Sequence, residues 1–375
     1  MSDLLDFLLP VSLSRLNHDE TYNDFQIGSQ VLLHDTQFPD WEPASVVLVG
    51  TGEQRGAGTA ADPGYPDEIR RQLYRLYHWH EGIVLADLGN IRQGATLQDT
   101  YAALKTVVHT LVTAGKTVLI LGGSHDLTTA QYQAYVLGKK IVEATVVDAL
   151  IDLQETPHPR SAAFLMDMLT GQPNYVRHYN HIGFQSYFVH PRMLETLDKL
   201  RFDCYRLGKA RENLEEIEPV LRNSDMLSFD ICAIRRAEAP AAGLSPNGFS
   251  GDEACMLARF AGMSLSLSSF GIYGYNPLRD PGGDTALQIA QMIWYFIDGK
   301  SVHNREAPLE EKTAFLEFYV TFTDVATTFI KSKKTGRWWM QLPGGQYIPC
   351  AYSDYLAACN NEIPERWLRA QERLS

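Results

Sequence analysis

The sequence predicts a three-layer α/β/α domain built on a mainly parallel sheet, with an appendage at its C-terminal end. Three observations predict it. Short, nearly unbroken apolar runs rich in valine, isoleucine and leucine recur along the chain, as strands buried on both faces require. Segments with helical spacing lie between them, so strand and helix alternate in the manner of a parallel sheet covered on both sides. Hydrophobic residues make up 45% of the chain and charged ones 21%, more apolar side chain than a disordered chain carries without collapsing.

In order, the strand candidates are Ala44–Gly50, Gly82–Leu88, Lys116–Gly122, Ala144–Asp148, His181–Phe184, Asp225–Asp230 and Ser268–Gly274. Between them, helical spacing marks Pro66–Trp79, Leu97–Ala114, Leu127–Leu137, Pro191–Leu200, Ser250–Met263 and Asp284–Ile297. The alternation is expected to stop near Gly299, which divides the chain into an α/β domain at 1–300 and an extension at 301–375 packed on it. Within the extension, Phe315–Gly345 reads as a hairpin and Tyr352–Arg373 as mostly helical.

Composition excludes several classes. The 375 residues hold 33 Lys and Arg against 45 Asp and Glu, a net charge of −12. Phosphate backbones and anionic lipid surfaces need a basic footprint, so neither nucleic acid nor membrane is an expected partner. The five cysteines, Cys204, Cys232, Cys255, Cys350 and Cys359, form no C-x-x-C pair, against a disulfide scaffold or a zinc ribbon. Met1–Pro10 is leucine-rich but carries Asp3 and Asp6 and no Lys or Arg, whereas a secretory signal needs a cationic start. No apolar run reaches the roughly 20 residues that span a bilayer. The expected location is cytoplasmic.

In an open α/β sheet, ligands bind beyond the carboxyl ends of the strands, so the polar residues that close each strand are the candidates. The third predicted strand runs into Gly122-Gly123-Ser124-His125-Asp126, the fourth into Asp148-Ala149-Leu150-Ile151-Asp152, and the sixth into Ser228-Phe229-Asp230-Ile231-Cys232. His125, Asp148, Asp152 and Asp230 are thereby offered to one place. One imidazole and three carboxylates suit a borderline-hard divalent ion such as Mn²⁺. Without a cation the carboxylates would repel one another or take up protons.

GGSHD, DALID and SFDIC resemble the GG-x-H, D-A-H-x-D and S-F-D-x-D motifs of the ureohydrolase family, which comprises arginases, agmatinases and formimidoylglutamases. Arg55–Leu73, Asp87-Leu88-Gly89-Asn90, and Asn276-Pro277 with Asp280 and Thr285-Ala286 resemble further family segments in the same order. His181-Ile182-Gly183-Phe184-Gln185 is most similar to the I-G-I-Q of formimidoylglutamases. The resemblance spans about residues 44–300 and implies the arginase-like fold, a trimer or hexamer of this chain, and two Mn²⁺ ions that activate a bridging water.

It also implies His125, Asp148, Asp152 and Asp230 as ligands of the first ion, with Asp148 and Asp230 shared by both ions and central to catalysis. The second ion would need a histidine and an aspartate where this chain has Leu150 and Cys232. Leu150 offers no donor. Cys232 could ligate as a thiolate, a soft donor better suited to Zn²⁺, and reads first as a small buried hydrophobe. The glutamate of E-x-N-P, which holds the substrate's guanidinium-type group in the family, is replaced by Gly274. The expectation is one ion at most, weak or lost C–N hydrolysis, and a binding or scaffold role. The alternative is an active metal-dependent hydrolase of a guanidino or formimino compound. His158 follows DALID, where arginases carry a proton-shuttling histidine, but at shorter spacing and between Pro157 and Pro159, so it reads as a surface loop residue.

Other motifs have plainer readings. Gly50-Thr51-Gly52 and Gly56 suggest a dinucleotide fingerprint, but Pro63, Gly64 and Pro66 keep the chain in loop where a helix should open. Ser124-His125-Asp126 has the letters of a catalytic triad, yet adjacent side chains point in different directions and cannot form a relay. Lys331–Trp339 is basic and aromatic, as single-strand binders are. On an acidic chain it reads as a hairpin turn with Trp338 and Trp339 packed inward, and 315–345 is the expected place for a protein partner.

Overall fold

Ten strands form one sheet in the computed structural model, which describes residues 2–16, 21–154, 159–304 and 306–374. They are β1 (Leu8–Leu9), β2 (Leu32–Leu33), β3 (Val46–Gly50), β4 (Leu85–Ile91), β5 (Thr117–Leu121), β6 (Val142–Val147), β7 (Val176–Phe184), β8 (Asp203–Arg206), β9 (Met226–Asp230) and β10 (Ser269–Tyr273). Their order is β1-β4-β3-β5-β10-β9-β6-β7-β8, with β2 also beside β4. Every pairing is parallel except β1 with β4. Each predicted strand is present, with bounds shifted by a few residues. β1, β2 and β8, which lack an apolar run long enough to stand out, join them.

Side-chain alternation along the strands builds the layers. Val47, Val49, Val118 and Ile120 pack beneath Leu104, Val107 and Leu111 of the helix Leu97–Thr113. Val46, Leu48, Leu119 and Leu121 face the opposite way, toward the helices Asp67–Leu73, Gly251–Gly262 and Asp284–His303. Two of these helices begin with reciprocal capping boxes, Thr96 with Asp99 and Ser250 with Glu253, each contributing about 1 kcal/mol to helix stability.

Two helix boundaries depart from the sequence pattern. The helix expected over Pro66–Trp79 ends at Leu73, because the carbonyls of Tyr74 and Leu76 are taken by the backbone N–H groups of Gly28 and Ile27. The last helix of the α/β unit runs through Gly299 to His303. Gly299 marks a crossing, not a stop. A Cβ there would lie 2.1 Å from the Arg259 carbonyl oxygen, and one on Gly262 would lie 2.1 Å from that of Phe296. Paired glycines let the two backbones touch.

Beyond this helix, β11 (Phe315–Phe322), β12 (Val325–Ser332), β13 (Trp338–Gln341) and β14 (Tyr347–Cys350) form a separate antiparallel sheet in that order, followed by helices Tyr352–Cys359 and Glu365–Leu374. The stretch expected as a hairpin, Phe315–Gly345, thus holds three strands of a four-stranded sheet. Trp338 packs into its core with Phe322, Phe329 and Trp367. Trp339 faces the other way, against Phe315 and Ile330 and under the Arg222 guanidinium at 4.4 Å. Both tryptophans are buried, so the outward residues of 315–345 are others, such as Leu316 and Tyr319. Among the described residues, no helix is long and apolar enough to cross a membrane.

Candidate metal centre

Four neighbouring strands, β5, β10, β9 and β6, bring their carboxyl ends side by side. His125 follows β5, Gly274 follows β10, Asp230 closes β9, and Asp148 and Asp152 follow β6. The structure gathers all four expected first-ion residues. His125 Nδ1 lies 3.0 Å from Asp148 Oδ2, 2.9 Å from Asp152 Oδ2 and 3.4 Å from Asp230 Oδ2. One ligand atom each from His125, Asp148 and Asp230 falls within 4.8 Å of the others. On its far side, His125 Nε2 is 3.0 Å from Ser228 Oγ, which is itself 2.6 Å from Thr128 Oγ1. That contact fixes the ring, as an outer hydrogen bond does for a ligating imidazole.

The electrostatics of this floor call for a cation. Burial opposes charge on His125, but its contacts with Asp148 and Asp152 and the charge of Asp230 override that and hold it well above the ordinary imidazole range. Burial pushes Asp148 up, and His125 outweighs it and brings the carboxyl down to about 2. Asp152 is raised well above the carboxylate range by burial and by the charge of Asp148. Asp230 is raised to about 6 by burial, with His125 pulling down and Asp148 pushing up. Left to themselves, Asp152, Asp230 and His125 hold protons to higher pH than they would in water, while Asp148 stays ionised beside His125. His125 Nδ1 sits close to three carboxylates yet in hydrogen-bonding geometry with none. Such a donor set fits a divalent ion.

The two altered positions stand next to it. Leu150 lines the cavity with its side chain while its backbone N–H donates to Asp148 Oδ1 at 3.0 Å. Cys232 is buried and donates its thiol to the same oxygen at 2.7 Å. Burial and the charges of Asp148 and Asp230 raise this thiol well above its usual range, so it is a neutral hydrogen-bond donor here. Gly274 has φ +84°, and a Cβ on it would lie 2.6 Å from Asp230 Oδ1. His158 lies outside the described residues.

The cavity above the floor has a volume of about 250 Å³. Gln54, Thr59, Ser161, Asn276 and Arg279 give it polar walls; Leu150, Ala242 and Leu244 give it an apolar side. Gln54 and Thr59 come from the glycine-rich loop, which therefore borders the cleft. The sequence reading passed over two residues. His181 Nε2 contacts the Asp148 carbonyl oxygen at 3.1 Å and Nδ1 contacts Tyr179 at 2.8 Å, bracing the ligand loop from β7; burial pulls its pKa down to about 4. It was visible only as part of the HIGFQ string, and only the β6–β7 pairing reveals its place. Arg279 lay within the Asn276–Asp280 motif, between the residues that carried the resemblance.

A family model described as the Arginase family matches residues 44–298. Among curated proteins, the formimidoylglutamase of Salmonella arizonae is 26% identical over 275 residues, covering 68% of this chain and 85% of that protein. Among solved structures, Trypanosoma cruzi formiminoglutamase with Mn²⁺ superposes with a TM-score of 0.66 at 18% identity, over 74% of this chain and 98% of that one. Formimidoylglutamase from Bacillus subtilis gives 0.67 at 16% identity, over 76% and 96%. These superpositions establish a shared fold.

Proposed function

The chain belongs to the arginase family, and from that premise we propose that it is a formimidoylglutamase-like member with a one-ion centre and weak or lost hydrolysis of linear amidine C–N bonds. The ion is manganese, held by His125, Asp148, Asp152 and Asp230. The observation that carries this reading is the pair Leu150 and Cys232. One has no donor atom, and the other is a soft sulfur donor whose thiol hydrogen-bonds Asp148 Oδ1 at 2.7 Å. Manganese is favoured by the oxygen-rich donor set and by its presence with the Trypanosoma cruzi relative.

When bound, the ion supplies Lewis acidity and the activation of water. The protein's own share is organisation. Ser228 holds the outer edge of His125. The backbone N–H groups of Leu150 and Cys232 donate to Asp148 Oδ1 and Asp230 Oδ1 at 3.0 and 2.7 Å, which fixes two of the carboxylates that would hold the ion. Gly274 leaves no carboxylate where a cationic amidine would be held, so a substrate of that charge loses the attraction that orients it.

Elemental mass spectrometry of protein loaded with Mn²⁺ and desalted tests the reading. The expected result is about one ion per chain for the wild type and about two for the double variant Leu150→His, Cys232→Asp. Two ions in the wild type would overturn it. That result would favour a second reading, an active hydrolase of a guanidino or formimino compound, in which Cys232, 2.7 Å from Asp148 Oδ1, completes a second site.

A further inference from the structure

We propose that a second cavity, at the opposite end of the sheet from the metal centre, binds a small phosphate-bearing anion, with Lys300 as its anchor. No described residue lines both cavities, so this site stands apart from the metal reading.

On a chain of net charge −12, this cavity gathers positive charge. It has a volume of about 350 Å³ and lies beside the amino ends of β5 and β10. Among the described residues, its lining holds Lys116, Lys140, Lys300 and His109 and no aspartate or glutamate. Lys300 sits half-buried near the end of the helix Asp284–His303, and its ammonium makes no hydrogen bond or ion pair with any described residue. Burial works against its charge and lowers its pKa from the ordinary lysine value. A bound anion would offset that desolvation.

The other two lysines keep charge to spare. Lys116 Nζ donates to the Glu42 carbonyl at 2.6 Å, a contact that uses one hydrogen and leaves the charge in place. Lys140 Nζ is 3.4 Å from Asp225 Oδ1, a carboxylate whose other oxygen accepts the Glu143 N–H at 2.9 Å. Open carbonyls at helix ends would repel an anion, and the helices Leu97–Thr113 and Leu127–Leu137 both end here. Each closes through a left-handed residue, Gly115 or Lys139, and the N–H groups of Lys116 and Lys140 return to the Leu111 and Tyr135 carbonyls at 3.0 Å. Thr113 and Ser266 add hydroxyls that bond no described residue. Lysines are compact point charges, which suits a doubly charged phosphate better than the planar, bidentate capture of a carboxylate.

The test titrates the full chain loaded with Mn²⁺ by calorimetry, at low salt and without phosphate or sulfate in the buffer. The titrants are glycerol 3-phosphate and succinate, dianions of the same charge. Glycerol 3-phosphate is expected to bind more tightly than succinate, and Lys300→Gln to weaken it by about tenfold or more. Lys140→Gln, whose side chain is more exposed, should weaken it by about threefold. Circular dichroism checks both variants, and Lys140→Gln serves as the deciding one if Lys300→Gln does not fold. Absence of glycerol 3-phosphate binding, or equal binding of succinate, would overturn the proposal. Phosphate affinity unchanged in the deciding variant would also overturn it, and would place the anion elsewhere, with the metal centre the first place to look.

Discussion

Gly274 shows how one residue can lock in a change of chemistry. Its φ of +84° belongs to the left-handed region that side chains avoid, and the space where a Cβ would go is held by Asp230. Gly274→Ala is expected to cost about 1–3 kcal/mol in a denaturant titration. A neutral result would mean that Asp230 shifts freely, and the fixed carboxylate geometry would have to be abandoned. The same constraint means that Gly274→Glu would not restore a substrate-holding carboxylate unless the loop after β10 changed course. At this scale the sequence was highly legible. His125, Asp148, Asp152 and Asp230 could be named because each closes an apolar strand, and Leu150, Cys232 and Gly274 because they break motifs. What it did not carry was conformation. Neither the left-handed φ of Gly274 nor the hydrogen bond from the Cys232 thiol to Asp148 has a sequence signature, and His181 acquires meaning only from neighbours far along the chain.

Elements were legible where their residues are buried on both faces. β3, β5, β6 and β10 are fully buried, so their apolar runs announced them. β8 did not, since Asp203-Cys204-Tyr205-Arg206 is a polar edge strand. Its first residue ties down the C-terminal helix: Asp203 Oδ1 is 2.7 Å from Arg369, and Oδ2 is 3.0 Å from both Arg373 and His178. Burial would raise this carboxyl, but His178 and the two arginines bring it down to about 2, from 3.8. A folded-state value below the unfolded one stabilises the protein above the ordinary carboxylate range, and the contribution is lost as pH falls toward 2. Protonation would therefore remove about 2 kcal/mol. Asp203→Asn should be less stable than wild type near neutral pH, with the gap narrowing at about pH 3. Urea titrations at the two pH values read this directly. A gap of equal size at both would remove the ion-pair account.

For the molecule as a whole, the question is whether the α/β unit and the extension stand as separate bodies. The change of pattern after the last long helix was plain in the sequence, but the means of attachment was not, because it depends on arginines that look like ordinary surface charge. Arg222, 2% exposed, donates to the carbonyls of Trp338 and Cys350 at 3.0 and 3.3 Å, lies 3.0 Å from Glu218 and covers the Trp339 ring. Arg337, in the stretch that read as basic and aromatic, turns inward instead, to Met263 O at 2.7 Å and Glu306 at 2.8 Å. Guanidiniums that donate to carbonyls across a junction make its two sides interdependent, since opening it takes the Trp338 and Cys350 carbonyls from Arg222 and the Met263 carbonyl from Arg337, while Glu218 and Glu306 stay beside them. The two sheets are expected to unfold in a single calorimetric transition. Arg222→Ala, which removes the ion-pair partner of Glu218 and the donor to two carbonyls, should lower that transition as a unit by about 3–5 kcal/mol. If the wild type instead melted in two steps, with Arg222→Ala moving only one, the extension would be a separate domain held by weak contacts. The arginines would then be reporting proximity without coupling.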